Sequence, residues 1–263
     1  MKEPLIYRKD FSHAEVAKKH WSVSTGEHLD SYYEISDQTG MTELLFDIAE
    51  AGSLEAVIFQ NAGFTAEVKI QVKVVLAKNA RVMLTVIQQG ALKSQVEILT
   101  EARGEGAEIN IRGLQHTKQN QKLSFSAHAH HFVPHTRSDL QVWCVAGDES
   151  HSIFNGLVTI EKGAHHTEAY QRNTNLLLSE RATVDTFPKL FIANHDVKCA
   201  HGSSVSQIEP EQFYYLQSRG LDAAAAEKML VMGFMHQSLD GLKNADTKQK
   251  LETILGLSEE EFA

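Results

Sequence analysis

Apolar and polar residues alternate along the middle of this chain and then change period. From Val68 to Leu76, the apolar Val68, Ile70, Val72 and Val74 interleave with Lys69, Gln71 and Lys73. That period of two marks a half-buried strand. Short runs rich in Val, Ile and Leu span 57–60, 66–76, 81–88, 95–99 and 108–114. The series continues over 123–131, 139–145, 152–160, 166–171, 183–189 and 190–194. No gap between runs is long enough for a crossover helix, which excludes a βαβ architecture. A sandwich, a barrel or a solenoid remains. Corner phrases ending in alanine recur before new strands: Lys78-Asn-Ala80, Glu105-Gly-Ala107, Glu161-Lys-Gly-Ala164 and Glu180-Arg-Ala182. Small residues at each corner let stacked coils approach closely, which favours the solenoid.

Different patterns flank this body. Ser12-His-Ala-Glu15 has the form of a capping box and predicts a short helix over 15–20. A weaker segment over 27–35 completes a helical or irregular lead-in, 1–45. From Glu211 onward the apolar positions recur every three or four residues, as in helices. Pro210 suits a first helical turn and Gly220 a helix end. A second helix is expected over 223–232, stopped by Gly233, and a last one over 239–255. The division is thus a lead-in, a β core over 46–208 and a helical domain over 209–263.

Composition narrows the function. The 263 residues carry a net charge of −9, with 42% hydrophobic and 22% charged residues. No basic stripe could neutralise nucleic-acid phosphates. No apolar run approaches the roughly 20 residues of a membrane-spanning helix. The N-terminus has no apolar signal-peptide segment, and the two cysteines, 144 and 199, form no disulfide framework. A reducing cytoplasm is the expected location.

The candidate chemistry is sparse. Cys199-Ala-His201 would place a thiol and an imidazole on one strand face, since alternate residues share a face. Such a pair suits zinc, iron or an iron–sulfur cluster, but it supplies only two ligands. The plainer reading is a buried cysteine beside a polar histidine. His128-Ala-His130-His131, with His135, could hold a metal, but exposed strand histidines fit better because no metalloprotease spacing accompanies them. Cys144 lies among apolar residues and reads as core, with a sulfur-relay thiol as the alternative if the protein handles sulfur. No nucleotide-binding loop, nucleophile elbow or CxxC pair occurs. The tail is rich in aromatics and methionines (Phe213-Tyr-Tyr-Leu216, Met229, Met232 and Phe234). It either packs on the β body or presents a docking face.

Several linked motifs now stand in one order. They are Ser152-Ile-Phe-Asn-Gly156, Ala169-Tyr-Gln-Arg-Asn173, Val184-Asp-Thr-Phe-Pro188, Asp196-Val-Lys-Cys-Ala-His-Gly202, Phe213-Tyr-Tyr-Leu-Gln-Ser-Arg-Gly220 and Gly233-Phe234. Together they resemble the core domain of the SufB/SufD family of iron–sulfur cluster assembly proteins, from about Ala51 to Phe234. The resemblance implies a right-handed parallel β-helix with a short C-terminal helical domain. It implies docking of that domain on a SufC-like ABC ATPase and pairing of two β-helix subunits through their C-terminal strands. A transient cluster would form at that interface. By position, Cys199 and His201 fall where SufD-type members carry Cys-x-His, and Gly202 stands where SufB-type members carry a carboxylate. The SufB-type series of cysteines is missing, and the chain is expected to be shorter than usual members, without most of their N-terminal region.

The function implied is a non-enzymatic scaffold with Cys199 and His201 as cluster ligands. Phe213, Tyr214, Leu216, Arg219, Met229 and Phe234 are the ATPase-docking candidates. The second subunit is a copy of this chain or a paralogue, and the sequence leaves the involvement of a flavin open. Neither nucleic acid nor membrane is an expected partner. Two other readings compete. One is a metal-free β-solenoid interaction module with inert cysteines. The other is a β-helix hydrolase or lyase, against which no D-x-D acidic pair stands on a strand face.

Overall fold

The computed structural model describes residues 16–36 and 40–257. Fourteen strands fill most of this span. They are β1 (Val16–Val23), β2 (His28–Ser36), β3 (Gly40–Ile48), β4 (Ser53–Ala62), β5 (Glu67–Leu76), β6 (Arg81–Gly90) and β7 (Lys93–Ala102). There follow β8 (Glu108–Thr117), β9 (Lys122–His131), β10 (Arg137–Ala146), β11 (His151–Ile160), β12 (Thr167–Leu177), β13 (Thr183–Ile192) and β14 (Val197–Gln207). The tail holds α1 (Pro210–Ser218), α2 (Ala223–His236) and α3 (Ala245–Ile254), with a 3-10 turn at Gln237–Leu239.

Each strand pairs in parallel with the strand two places further on, so odd strands build one seven-stranded sheet and even strands the other. One coil is therefore one odd and one even strand. Val16 faces Met41, 25 residues on, and His151 faces Thr183, 32 residues on, so the coils lengthen toward the C-terminus. The chain is a β-solenoid of about seven turns, as the corner phrases and the family resemblance predict.

The alternating strands turn their apolar face into the lumen. Val68, Ile70, Val72, Val74 and Leu76 of β5 are buried, while Lys69, Gln71 and Lys73 point outward. Strands β4, β6 and β10 break the alternation because both their faces are covered. Val57, Phe59, Ile87, Leu114, Trp143 and Val145 point out of the even sheet and form a second core with Met232, Met235, Leu239, Leu242, Leu251 and Leu257 of the tail. Burying each such Leu or Met contributes about 1.5–3 kcal/mol. The corner alanines Ala80, Ala107, Ala164 and Ala182 are buried between coils. Gly104 shows why the corners stay small: a Cβ there would lie 2.0 Å from the Lys78 amide nitrogen.

The tail is also tied down by hydrogen bonds. The buried Glu55 carboxylate of β4 accepts the backbone N–H of Lys243 at 3.1 Å and of Asn244 at 2.9 Å. Asn244 in turn caps α3 by accepting from Thr247 N–H and donates to Asp30 of β2 at 3.1 Å.

Several sequence expectations change. The predicted helix over 15–20 is replaced by β1 from Val16 on; the capping-box residues themselves lie outside the described residues. The segment over 27–35 is β2, so described parts of the lead-in are strands of the first coils. Runs 183–189 and 190–194 merge into β13, which ends at Ile192. Gly233 does not stop α2, which runs on to His236. The last helix begins only at Ala245, after the 3-10 turn.

Candidate functional site

The candidate cluster ligands lie on the last coil, where both sheets end. β13 is the terminal strand of the odd sheet and β14 of the even sheet. Each has a neighbour on one side, so its other edge carries unpaired backbone donors and acceptors. The lumen continues to this end, and no further strand among the described residues stacks above it. One column of lumen positions runs Leu54, Val82, Ile109, Ser138, Ala169 and Cys199. The next runs Leu84, Ile111, Leu140, Gln171 and His201. Members of both columns are buried up to Ala169 and Gln171, whereas Cys199 is half-buried and His201 exposed. The lining thus changes from aliphatic to polar and ends in a thiol and an imidazole at the open end.

Cys199 and His201 share the lumen face of β14, as their spacing predicts. Cys199 packs against the end of the main core. Partial burial raises its thiol above the ordinary cysteine range, opposed by a hydrogen bond with the Ala169 backbone. At neutral pH the group is a thiol, so binding a metal displaces a proton. One sulfur and one imidazole fit iron or zinc. Two donors leave such a site half filled.

Beneath His201 lies an unusual buried amide. Gln171 is in register with His201, and both its Nε2 and Oε1 are buried without a hydrogen-bond partner. It reaches across the lumen to Gly156, where a Cβ would meet Gln171 Nε2 at 2.3 Å. The glycine of one sequence motif makes room for the glutamine of the next.

Apolar side chains surround this end. Phe187, Phe191, Ile192 and Val205 of the last coil are exposed, Phe191 to 58%. Sequence reasoning passed over all four. The signal was present, since Phe187 and Phe191 fall on the odd-numbered positions of β13 that alternate away from the lumen. Thr186 Oγ1 donates to Ser203 Oγ at 2.9 Å and closes the coil across the lumen.

The other cysteine and the histidine run are buried or paired. Cys144 is fully buried, and burial pushes its thiol up to about 12. His131 is not an exposed strand histidine. It points into the lumen with no exposed surface, and its nitrogens pair with Thr136 Oγ1 at 2.8 Å and Ser138 Oγ at 2.9 Å. Burial lowers His131 and His128 to about 4. His128 pairs with Thr159 at 2.9 Å and His130 with Glu161 at 2.7 Å on the outer face. These rings have partners already.

The structure divides the docking candidates. On α1, Tyr214 is 73% exposed and Arg219 is exposed, while Phe213 and Leu216 are half-buried. No residue of α1 is buried. Tyr215, absent from the candidates, is also exposed, and Arg219 stacks over its ring at 5.2 Å. Phe234, by contrast, packs into the core between tail and solenoid. Met229 is half-buried on α2. α1 is thus the outward-facing helix and α2 the anchor.

Solenoid, open coil and C-x-H pair together define a class. Residues 12–234 match the family model described as the SUF system FeS cluster assembly, SufBD core domain. The chain belongs to this family. The match begins well before Ala51, in agreement with strands β1 to β3 being part of the solenoid. Among individual relatives, it is similar to the iron–sulfur cluster assembly protein SufD of Escherichia coli strain K12, at 31% identity over 157 residues, 60% of this chain and 37% of that protein. It is similar to SufD of Bacillus subtilis strain 168 at 31% identity over 159 residues, 60% of this chain and 36% of that protein. A SufBD family protein of Synechocystis is 35% identical over 118 residues, 45% of this chain and 26% of that protein. The chain therefore spans between about a quarter and just over a third of the length of these relatives. No helix among the described residues is long and apolar enough to cross a membrane.

Proposed function

We propose that this chain is a scaffold subunit, not an enzyme, of a SUF-type assembly complex in the cytoplasm. A nascent iron–sulfur cluster is its cargo. Two such subunits, identical or paralogous, join at their open last coils. Cys199 and His201 of each supply half of the ligand set, so a two-fold pair would supply two thiolates and two imidazoles. The observation that carries this reading is the last coil itself. Its lumen face ends in Cys199 and His201, and it is rimmed by exposed Phe187, Phe191, Ile192 and Val205. Exposed apolar side chains beside two unpaired strand edges favour association with another protein chain.

α1 is the handle for a SufC-like ABC ATPase. Its exposed Tyr214, Tyr215 and Arg219 are of the types enriched in protein interfaces. Phe234 serves the handle indirectly, by fixing α2 to the solenoid.

Anaerobic reconstitution with iron and sulfide tests the ligands. Wild type is expected to retain a cluster that Cys199→Ser and His201→Ala lose. Equal uptake by wild type and Cys199→Ser would overturn the assignment. Light scattering tests the pairing, because Phe191→Glu with Val205→Glu is expected to halve the mass of the assembly. Docking is tested by capture of the cognate ATPase with a chain ending at Glu209, and capture at wild-type level would remove α1 from the mechanism.

A further inference from the structure

Away from the lumen, one edge of the solenoid gathers three histidines. His135 lies in the corner between β9 and β10; His165 and His166 lie in the corner one coil further on. The His135 N–H donates to the His165 carbonyl at 3.0 Å and holds the two corners in register. The ring centroids of His135 and His166 are 4.8 Å apart, those of His165 and His166 5.1 Å, and those of His135 and His165 5.9 Å. One nitrogen from each ring lies within 4.8 Å of the others. Among the described residues no other three His, Cys, Asp or Glu side chains converge in this way.

His135 and His166 both sit in the left-handed backbone region, at φ 55° and 57°, a conformation that the same corner also takes at Ala51, Asn79 and Gly106 of earlier coils and that suits histidine. The feature that supports a ligand role is the carboxylates. Asp196 Oδ2 lies 3.1 Å from His166 Nδ1, and Glu105 Oε1 lies 3.9 Å from His135 Nε2. A carboxylate on one ring nitrogen orients the imidazole and strengthens the other nitrogen as a donor.

The geometry points to a binding site for one divalent first-row transition-metal ion, ligated by His135, His165 and His166, with Asp196 positioning His166. An imidazole set suits zinc, copper, nickel or ferrous iron rather than magnesium or calcium. Ligand nitrogens around a tetrahedral zinc are about 3.3 Å apart, given bonds of about 2.0–2.1 Å. The three rings are exposed and close the remaining distance by rotation about χ1 and χ2. The site is separate from the C-x-H pair on the lumen face of β14 and does not depend on its role.

Titration of tag-free protein with Co²⁺, read by visible d–d absorption and calorimetry, tests the site. A Cys199→Ser, His201→Ala variant is expected to bind one equivalent per chain, and wild type to show the same d–d bands beside any cobalt held by its last coil. A His135→Asn, His165→Gln, His166→Asn variant is expected to bind at least about tenfold more weakly. Asparagine keeps the left-handed corners, and an unchanged circular dichroism spectrum confirms the fold. The site is overturned if the triple variant binds as wild type does, if wild type takes up no Co²⁺ stoichiometrically, or if binding vanishes only with Cys199 and His201.

Discussion

The middle coils and the last coil are built from the same register and behave as opposites. In β11 and β12 every lumen-facing side chain from Ser152 to Ile160 and from Thr167 to Asn175 is buried. One coil later the corresponding positions of β13 and β14 are half-buried or exposed. Nothing local to the strands explains the difference, because β13 and β14 pair as regularly as their predecessors. A strand in a solenoid becomes core only when another coil stacks on it. The last coil is therefore where a solenoid can place chemistry without hollowing its own core.

Substitutions should expose this contrast, beginning with the largest effect. Phe125 is fully buried in β9, and Phe125→Ala is expected to cost about 3–5 kcal/mol in urea unfolding. Phe191→Ala on the last coil is expected to change the isolated chain by no more than about 0.5 kcal/mol. If the two costs were alike, the last coil would be packed and the contrast would fail.

His131 sharpens the comparison through pH. Its folded-state value is about 4, held down by burial, below the ordinary 6.5. Between those values the unfolded chain binds a proton that the folded chain does not. The stability from a neutral His131 is therefore complete above about pH 6.5 and is lost as pH falls toward 4, by on the order of 3 kcal/mol in all. His131→Gln should make this part of the stability profile shallower but not flat, since burial also holds His116 and His128 down to about 4, and its midpoint at pH 8 should drop. An unchanged slope would show that His131 does not carry it.

Gly156→Ala comes next. The new methyl group would strike Gln171, and overpacking of this kind costs about 1–3 kcal/mol. A cost below that range would mean that Gln171 swings aside toward the open end. The smallest effect belongs to Cys199→Ser, expected within about 0.5 kcal/mol. In the folded protein iodoacetamide should label Cys199 alone, since Cys144 is fully buried. Labelling of both cysteines at equal rates would show that the body opens as readily as its end.

How far the sequence was legible follows the same division. Strands β5, β7, β9 and β11 carry a clear period of two because one face meets the lumen and the other faces outward. β1 carries no strand signature in the sequence, because Val16-Ala-Lys-Lys-His20 has almost no apolar alternation, and all five residues are exposed on an edge strand. Cys199 and His201 were legible as a pair, since a spacing of two fixes a shared face in any strand. Their openness was not, because exposure depends on which coil is last. The meeting of His135 with His165 and His166 was illegible for another reason. It needs the exact coil length between two corners, and coil length varies along this chain.

The helical tail has a mechanical consequence. It leaves the solenoid at Gln207 on the last coil, yet Glu55 and Asp30 clamp it to β4 and β2 near the opposite end. β14 and β4 are five strand spacings apart in one sheet, about 24 Å at about 4.8 Å each. Hydrogen bonds between coils run along the stacking axis, so they alone would bear tension along it. The tail lies parallel to them as a strap, anchored through Met232, Met235 and Leu239. A load applied at α1 is shared between the last coil and the first ones, and the rod moves as one stiff body instead of peeling from its open end.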